Sequence, residues 1–209
     1  MRVQDRETRR RVLETAARLF AERGFKKVTV REICRVARAN VAAVNYHFGD
    51  KLGLYREVLQ TAIDAMRETT EAAQRAGAGG SAEDKIRAHI RVYLHRVLGD
   101  GGDSWLHRLL NREVSDPTPA LDVIVEQAIR PRIEYLCGLV GELLDCPPTD
   151  ERVFRSVTSI QAQCVMSLPN PIGSRLRPDF KPTPAEIDRL ADHIAAFSFA
   201  GIRAIANLT

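Results

Sequence analysis

Residues 29–51 of the chain read TVREICRVARANVAAVNYHFGDK, and the first half of this stretch has the pattern of a short helix. Thr29 followed three residues later by Glu32 is a capping box, in which the hydroxyl caps the first turn and the carboxylate reaches back to the cap. Helical spacing predicts that the apolar residues after it turn inward, namely Ile33, Val36 and Ala37. We therefore expect a helix that opens at Thr29.

A second short helix follows after a turn that contains only Arg38 and Ala39. Asn40 is a favourable N-cap for it, and Val44 and Phe48 lie one helical turn apart, so both suit a core-facing side. The opposite side carries Val41, Ala42, Asn45 and Tyr46. Two short helices joined by a tight turn, with a longer helix over residues 6–23 before them, form a helix-turn-helix.

His47 stands between two aromatic residues, which raises the question of a metal or catalytic site. A metal site on a helix favours a pattern such as H-x-x-x-H, and a catalytic site a signature such as G-x-S-x-G; the sequence contains neither. The third interpretation is the end of a DNA-reading helix, whose small residues let the backbone approach a groove while polar and flat groups meet bases and phosphates. We favour it, and predict no catalytic residue, no metal and no cofactor.

The residues after His47 fit that interpretation. Gly49 is expected to end the helix and Asp50 to cap the next one. Lys51 then falls in the first turn of that helix, where a positive side chain beside free backbone N–H groups suits a phosphate.

The positive charge of the chain is concentrated at its N-terminal end. Residues 1–48 contain 12 Lys and Arg against 5 Asp and Glu, a net +7, whereas the other residues carry a net −3, which together give the +4 of the whole 209-residue chain. Such a split indicates a nucleic-acid-binding region joined to a larger body without that role.

Composition excludes several other classes of protein. The four cysteines, Cys34, Cys137, Cys146 and Cys164, form no C-x-x-C pair, so they suggest neither a disulfide framework nor a zinc ribbon. The apolar runs are too short to cross a bilayer, and the N-terminus lacks the apolar segment of a secretory signal. We expect a cytoplasmic protein with no membrane partner.

Helical periodicity is present along nearly the whole chain, which predicts an all-α protein of about nine helices. Gly99 to Gly102 should form a loop, and residues 169–182 contain too much proline and glycine to be helical. The last two long helices are expected over residues 149–168 and 183–206. The final one has two apolar faces, so it either lies at the centre of a monomer or packs against a second subunit.

Residues 7–59, ETRRRVLETAARLFAERGFKKVTVREICRVARANVAAVNYHFGDKLGLYREVL, resemble the DNA-binding region of the tetracycline-repressor (TetR) family of transcriptional regulators. The resemblance implies a three-helix DNA-binding domain over residues 1–50 and a ligand-binding and dimerisation domain over 51–209, connected by a helix over 50–75. It further implies a homodimer, formed through the last two helices, that represses by binding a palindromic double-stranded operator and is released by a small-molecule effector.

The family pattern assigns the DNA contacts to residues of this chain. It places Thr29, Tyr46, His47 and Lys51 on the phosphate backbone. It turns Val41, Ala42, Asn45 and also Tyr46 toward the bases of the groove that residues 40–47 enter, and Asn40 is a further DNA-binding residue. Asn45 is the predicted sequence-specific contact because an asparagine amide bonds bidentately to adenine. Arg38 departs from the family's usual turn glycine, so either the turn avoids a left-handed backbone there or Arg38 offsets its cost through a phosphate contact.

The effector is expected to be apolar or aromatic. Residues 111–131, NREVSDPTPALDVIVEQAIRP, are similar to the ligand domain of the CecR-like subgroup. Taken singly, each aromatic or polar residue on the helices of residues 81–168 is better explained by core packing or surface pairing. Grouped in an effector-binding domain, the candidates are His89, Tyr93, Trp105, Arg112, Tyr135 and Gln161, with His107, Glu113 and Phe154 as further members.

Two alternatives stay open from the residues alone. One is a helical enzyme with a pocket in the C-terminal body, which lacks a recognisable nucleophile, metal set or phosphate loop. The other is a DNA-binding regulator or scaffold controlled by a protein partner without a small-molecule effector.

Overall fold

The structure, a computed structural model, describes residues 3–99, 105–167, 171–176, 178 and 182–207. Throughout this part the regular structure is helical, which confirms the all-α prediction. The helices are α1 (Val3–Arg23), α2 (Val30–Ala37), α3 (Val41–Phe48), α4 (Lys51–Ala76), α5 (Ala82–Leu98), α6 (Trp105–Ser115), α7 (Ala120–Ile124), α8 (Arg130–Leu144), α9 (Glu151–Met166), α10 (Pro171–Leu176) and α11 (Pro184–Ala206). A π-helical turn, Val125–Ile129, joins α7 to α8 as one continuous run.

The chain divides into two compact units. The N-terminal unit comprises residues 1–65 and 104–125, and the C-terminal unit comprises residues 66–103 and 126–209. The first of these is larger than the predicted 1–50 domain, since it also takes in the start of α4 and the α6 helix, which packs along α1.

A buried carboxylate ties α4 to α6 within the N-terminal unit. The Tyr55 hydroxyl donates to Glu113 Oε1 at 2.5 Å, and the backbone N–H and hydroxyl of Thr118 donate to Glu113 Oε2. Burial raises the pKa of Tyr55, and its ring packs edge-on against Phe20 with the centroids 5.0 Å apart. Glu113, a minor effector candidate in the sequence, is therefore a structural residue of this unit.

The helix-turn-helix forms as predicted, with two local corrections. Thr29 Oγ1 accepts from the Glu32 N–H at 3.2 Å, but the Glu32 carboxylate pairs with Arg23 instead of returning to the cap, so only half of the capping box exists. Val36, expected inside, is 42% exposed. The buried set of α2 is Ile33, Cys34 and Ala37, and Val36 lies outside the arc that these three define.

The C-terminal unit is a bundle in which α5, α8, α9 and α11 share one apolar core. Ile86, Ile90 and Leu94 of α5 are fully buried in it. Charged pairs at the edge join α5 to α11: Asp188 meets His95 at 2.8 Å and Arg91 at 3.3 Å. The hydrogen bond from His95, helped by the Arg91 charge, lowers the pKa of Asp188.

The predicted start of the last helix is confirmed, because Thr183 and Glu186 form a complete capping box. The prediction of no helix in residues 169–182 is wrong, since Pro171–Leu176 is a short helix. Proline is compatible with the first turn of a helix, where its missing N–H has no intrahelical acceptor to lose. Of the loop predicted from Gly99 to Gly102, residues 100–102 lie outside the described residues.

One face of α11 is buried and the other is exposed. Ile187, Ile194 and Phe199 belong to the core, whereas Phe197 is 65% exposed and Gly201 lies in solvent. The neighbouring α9 also exposes apolar side chains, those of Phe154, Val165 and Met166. Both helices of the predicted dimer interface thus present uncovered apolar surface in the single chain.

No helix among the described residues is long and apolar enough to cross a membrane.

Candidate functional site

The exposed face of α3 carries the residues predicted to meet bases. Val41, Ala42, Asn45 and Tyr46 are all exposed, and Tyr46 reaches 75%. Val44 and Phe48 on the opposite face are buried, as predicted. The core thus fixes the orientation of α3 and leaves a polar amide, an aromatic ring and two small or branched side chains free to enter a groove.

Thr29 and Asn40 each cap a helix and keep hydrogen-bond donors for a further partner. Thr29 Oγ1 accepts from the Glu32 N–H, and Asn40 Oδ1 accepts from the Ala42 N–H at 3.0 Å. The Thr29 hydroxyl hydrogen and the Asn40 amide NH₂ are not used in these caps. Both groups can therefore donate to phosphate oxygens while the helices stay capped.

The turn between α2 and α3 adopts the strained conformation that the sequence left open. Arg38 has φ 51° and ψ 49°, in the left-handed region, and its N–H bonds to the Cys34 carbonyl as a C-cap. A non-glycine residue there costs about 1–2 kcal/mol. Its exposed side chain borders a groove of about 840 Å³ that Arg11, Arg18 and Trp105 also line.

His47 is held inside the N-terminal unit rather than displayed. Its side chain is 5% exposed, and Nε2 lies 3.1 Å from Asp5 Oδ1 on α1. The Tyr46 ring and the imidazole form a T-shaped pair, with the ring centroids 4.9 Å apart. In this arrangement His47 supports Tyr46 and the end of α3, and a phosphate contact by Nε2 would require it to leave Asp5.

Lys51 begins α4 beside the end of α3. Its Nζ lies 4.3 Å from the centroid of the Phe25 ring, a cation–π contact that orients the ammonium, and burial lowers its pKa. The N–H groups of Lys51 and Leu52 make no hydrogen bond within the described residues. An oriented ammonium next to free N–H groups is a suitable arrangement for one phosphate.

The junction between α3 and α4 is unusually tight. Gly49, with φ 78° and ψ −62°, lets the Asp50 N–H bond to the Phe48 carbonyl at 2.9 Å, which closes a γ-turn. The Asp50 carboxylate caps α4 as predicted, accepting from the Gly53 N–H at 2.7 Å. A Cβ on Gly53 would lie 1.9 Å from the Phe48 carbonyl oxygen. The position of α3 relative to α4 therefore depends on two glycines.

Three of the six effector candidates meet in the C-terminal unit. His89 is 1% exposed, its Nε2 lies 3.3 Å from Gln161 Nε2, and its ring stacks on Tyr93 with the centroids 6.4 Å apart. Burial, with a contribution from the Arg132 charge, lowers the pKa of His89 to about 3, so the imidazole is neutral at pH 7. Tyr135 lies half-buried against the same core, with no contact to these three residues described.

The other two candidates belong to the N-terminal unit. Trp105 lines the groove near Arg38, and Arg112 donates to the Glu22 carbonyl at 2.8 Å and packs against Gly24. Sequence spacing could not separate them from His89, because α6 follows α5 in the chain but joins a different unit. Among the further members, His107 bonds to Asn111 and Phe154 is 59% exposed.

Arg132, which sequence reasoning missed, is the additional residue of the His89 cluster. Its guanidinium carbon lies 5.9 Å from the centroid of the Tyr93 ring, and its Nε is buried without a hydrogen-bond partner. The sequence does carry a sign of this position, because Arg132 lies one helical turn before the fully buried Leu136 and therefore shares its inward side of α8.

Within the described residues no group of three His, Cys, Asp or Glu side chains could hold a metal ion.

These features define a helix-turn-helix DNA-binding protein with a separate helical unit that contains a buried polar cluster. Two family models match the chain: that of the bacterial regulatory proteins of the TetR family over residues 12–58, and that of the C-terminal domain of the transcriptional dual regulator CecR over residues 82–202. The second covers more than half of the chain. The chain therefore belongs to the TetR family of transcriptional regulators, with a C-terminal domain of the CecR type.

Individual proteins resemble this chain in sequence or in fold. The transcriptional dual regulator CecR of Shigella flexneri is 29% identical over 165 residues, which cover 74% of this chain and 72% of that protein. SCO4454, a TetR-family regulator from Streptomyces coelicolor, shares the fold with a TM-score of 0.69 at 19% identity, over 94% of this chain and 90% of that one. The ketosteroid regulator KstR2 of Mycobacterium tuberculosis gives 0.64 at 18%, over 92% and 94%. The family is a DNA-binding one without enzymatic activity, so the enzyme alternative is not supported.

Proposed function

We propose that this TetR-family regulator is a repressor that binds a palindromic operator as a homodimer and is released by a small-molecule effector. The observation that carries the DNA part is the exposed face of α3, on which Asn45 and Tyr46 project while Val44 and Phe48 anchor the helix. Asn45 reads a base edge, and Thr29, Arg38, Asn40 and Lys51 contact phosphates around it.

The proposed dimer forms through α9 and α11. Support comes from the exposed apolar side chains of these two neighbouring helices, above all Phe197 of α11 and Phe154 and Met166 of α9. Three small residues of α11 near Phe197 are also exposed, namely Ala200, Gly201 and Ala204. Small residues at these positions let a second helix approach closely. A two-fold dimer would pair each such face with its own copy.

The proposed effector binds in the C-terminal unit at the cluster of His89, Tyr93 and Gln161. It releases DNA only if it binds more tightly to the DNA-free arrangement of the two reading helices than to the DNA-bound one. Since α4 is the helix that runs from one unit into the other, we propose that its displacement changes the spacing of the reading helices.

Selection of bound genomic fragments, followed by sequencing, tests the operator. We expect the purified protein to enrich fragments that contain an inverted repeat, whose half-site centres lie about 34–36 Å apart, about one helical turn, or at a multiple of that distance. This follows from two copies of α3 related by a two-fold axis. Enriched fragments with single, non-repeated sites would contradict the dimeric operator, and an absence of enrichment would contradict sequence-specific binding.

A further inference from the structure

We infer that Arg132 is the anchor for an anionic group of the effector, a carboxylate or a group of similar size. The inference rests on the proposed function for its regulatory meaning, and it adds the charge of the ligand to the apolar or aromatic body already expected. It starts from a partly buried cation of the C-terminal unit that has no carboxylate partner among the described residues.

Arg132 differs from the two other partly buried arginines described in its unit, of which Arg87 pairs with Asp192 at 3.8 Å. Arg152 pairs with the Asp150 carboxylate at 2.9 Å, whereas no carboxylate of the described residues lies within ion-pair distance of Arg132. The Nε of Arg132 is buried and makes no hydrogen bond. Loss of solvent lowers its pKa, but a guanidinium does not give up its proton in a protein. The charge therefore stays, and burial without a partner is costly.

The groups around Arg132 are hydrogen-bond donors without acceptors. The Tyr93 ring contacts both the His89 ring and the Arg132 guanidinium. The Gln161 amide nitrogen lies 3.3 Å from His89 Nε2, and His89 Nδ1 is buried without a hydrogen-bond partner among the described residues. With the amide in this orientation, Nε2 accepts the hydrogen bond and the proton of the neutral imidazole is on Nδ1. The Tyr93 hydroxyl also makes no hydrogen bond in the described part of the chain.

A cluster of donors and one fixed positive charge is complementary to an anion. A carboxylate binds a guanidinium through two parallel hydrogen bonds and can accept from a third donor as well. The remaining surroundings are apolar, since Leu136 and Cys164 are buried beside Arg132 and burial raises the pKa of the Cys164 thiol to about 12. The thiol therefore stays neutral and does not supply the missing negative charge.

The stability of the unliganded protein gives a test that needs no ligand. Replacing Arg132 by methionine removes a partly buried charge that has no carboxylate partner among the described residues, and it keeps most of the side-chain volume. We therefore expect the melting temperature to stay the same or rise by about 2–4 °C. Arg130→Met, on the same helix, is the matched control: it removes an exposed arginine paired with Glu126 and should change the melting temperature by less than about 1 °C. A fall of several degrees for Arg132→Met alone would show a structural role and overturn the inference.

Matched pairs of small molecules test the anion directly. In calorimetric titrations with 4-phenylbutyrate against 4-phenylbutyramide, and octanoate against octanamide, we expect the carboxylate to bind wild type at least about tenfold more tightly than its amide in one pair or both. Arg132→Met should reduce the carboxylate to the affinity of the amide, and Arg130→Met should leave it unchanged. Equal affinities within both pairs, or a carboxylate preference that survives Arg132→Met, would overturn the inference.

DNA release separates this inference from the proposed function. Carboxylates that bind through Arg132 but leave the selected operator fragments bound would support the anion site and contradict effector-controlled release. Release by a neutral compound, equal in wild type and Arg132→Met, would support the regulator and contradict the anionic effector.

Discussion

A Gly53→Ala variant is expected to lose operator affinity by at least about tenfold, or about 1.4 kcal/mol, and to unfold more easily. The added methyl group would lie 1.9 Å from the Phe48 carbonyl oxygen. A side-chain rotation cannot remove this clash, because the backbone fixes the positions of both the Cβ and the carbonyl oxygen. The carbonyl must move, and with it the end of α3. We expect the free energy of unfolding to fall by about 1–3 kcal/mol, the range for overpacking at a tight contact.

Thermal denaturation and fluorescence anisotropy with a labelled operator measure both effects. Gly138→Ala is the matched control, since a Cβ on that glycine of α8 meets nothing within 4 Å. It should stabilise the helix by about 0.5–1 kcal/mol and leave DNA binding unchanged. If Gly53→Ala behaved like Gly138→Ala, the close approach of α3 and α4 would not be required for DNA binding.

The second large effect is expected from Phe197→Glu, which should convert the proposed dimer into monomers. Phe197 is a large apolar side chain left 65% exposed in the single chain, and a buried carboxylate at a self-complementary interface would face its own copy. Sedimentation equilibrium should then give the single-chain mass of 23.3 kDa in place of twice that value. Operator affinity should fall by about 10²-fold or more, since the two half-sites are no longer bound together.

Val114→Glu is the control for this substitution. Val114 is 73% exposed on α6, outside the proposed interface, so the same change of chemistry there should leave the dimer intact. A dimeric Phe197→Glu protein with unaltered dissociation would place the interface elsewhere on the molecule.

The features that sequence predicted well are those fixed by local chemistry. Asn40 caps α3, Asp50 caps α4, and Thr183 opens the last helix, because a side-chain oxygen next to free N–H groups needs no information from distant residues. The division of α3 into a buried side, with Val44 and Phe48, and an exposed side follows from helical phase alone.

The features that sequence missed depend on packing between elements distant in the chain. The Glu32 carboxylate leaves its cap because Arg23 of α1 lies within reach, and His47 is buried because Asp5 of α1 faces it. The order of the chain puts Trp105 and Arg112 directly after α5 and so predicts them as effector-binding residues. Their helix, α6, instead packs against α1. That Arg132 has no carboxylate partner in the described part of the chain likewise becomes visible only when α5, α8 and α9 are brought together.

Whether α3 reads DNA sequence can be measured through the affinities of Asn45→Ala and Lys51→Ala for the selected operator and for a scrambled duplex. Asn45→Ala should cost about 1–3 kcal/mol on the operator and nothing on the scrambled duplex. Lys51→Ala should weaken both and lower the slope of log affinity against log salt by about one. Equal losses of affinity for the two duplexes in Asn45→Ala would show that α3 does not read sequence through this residue.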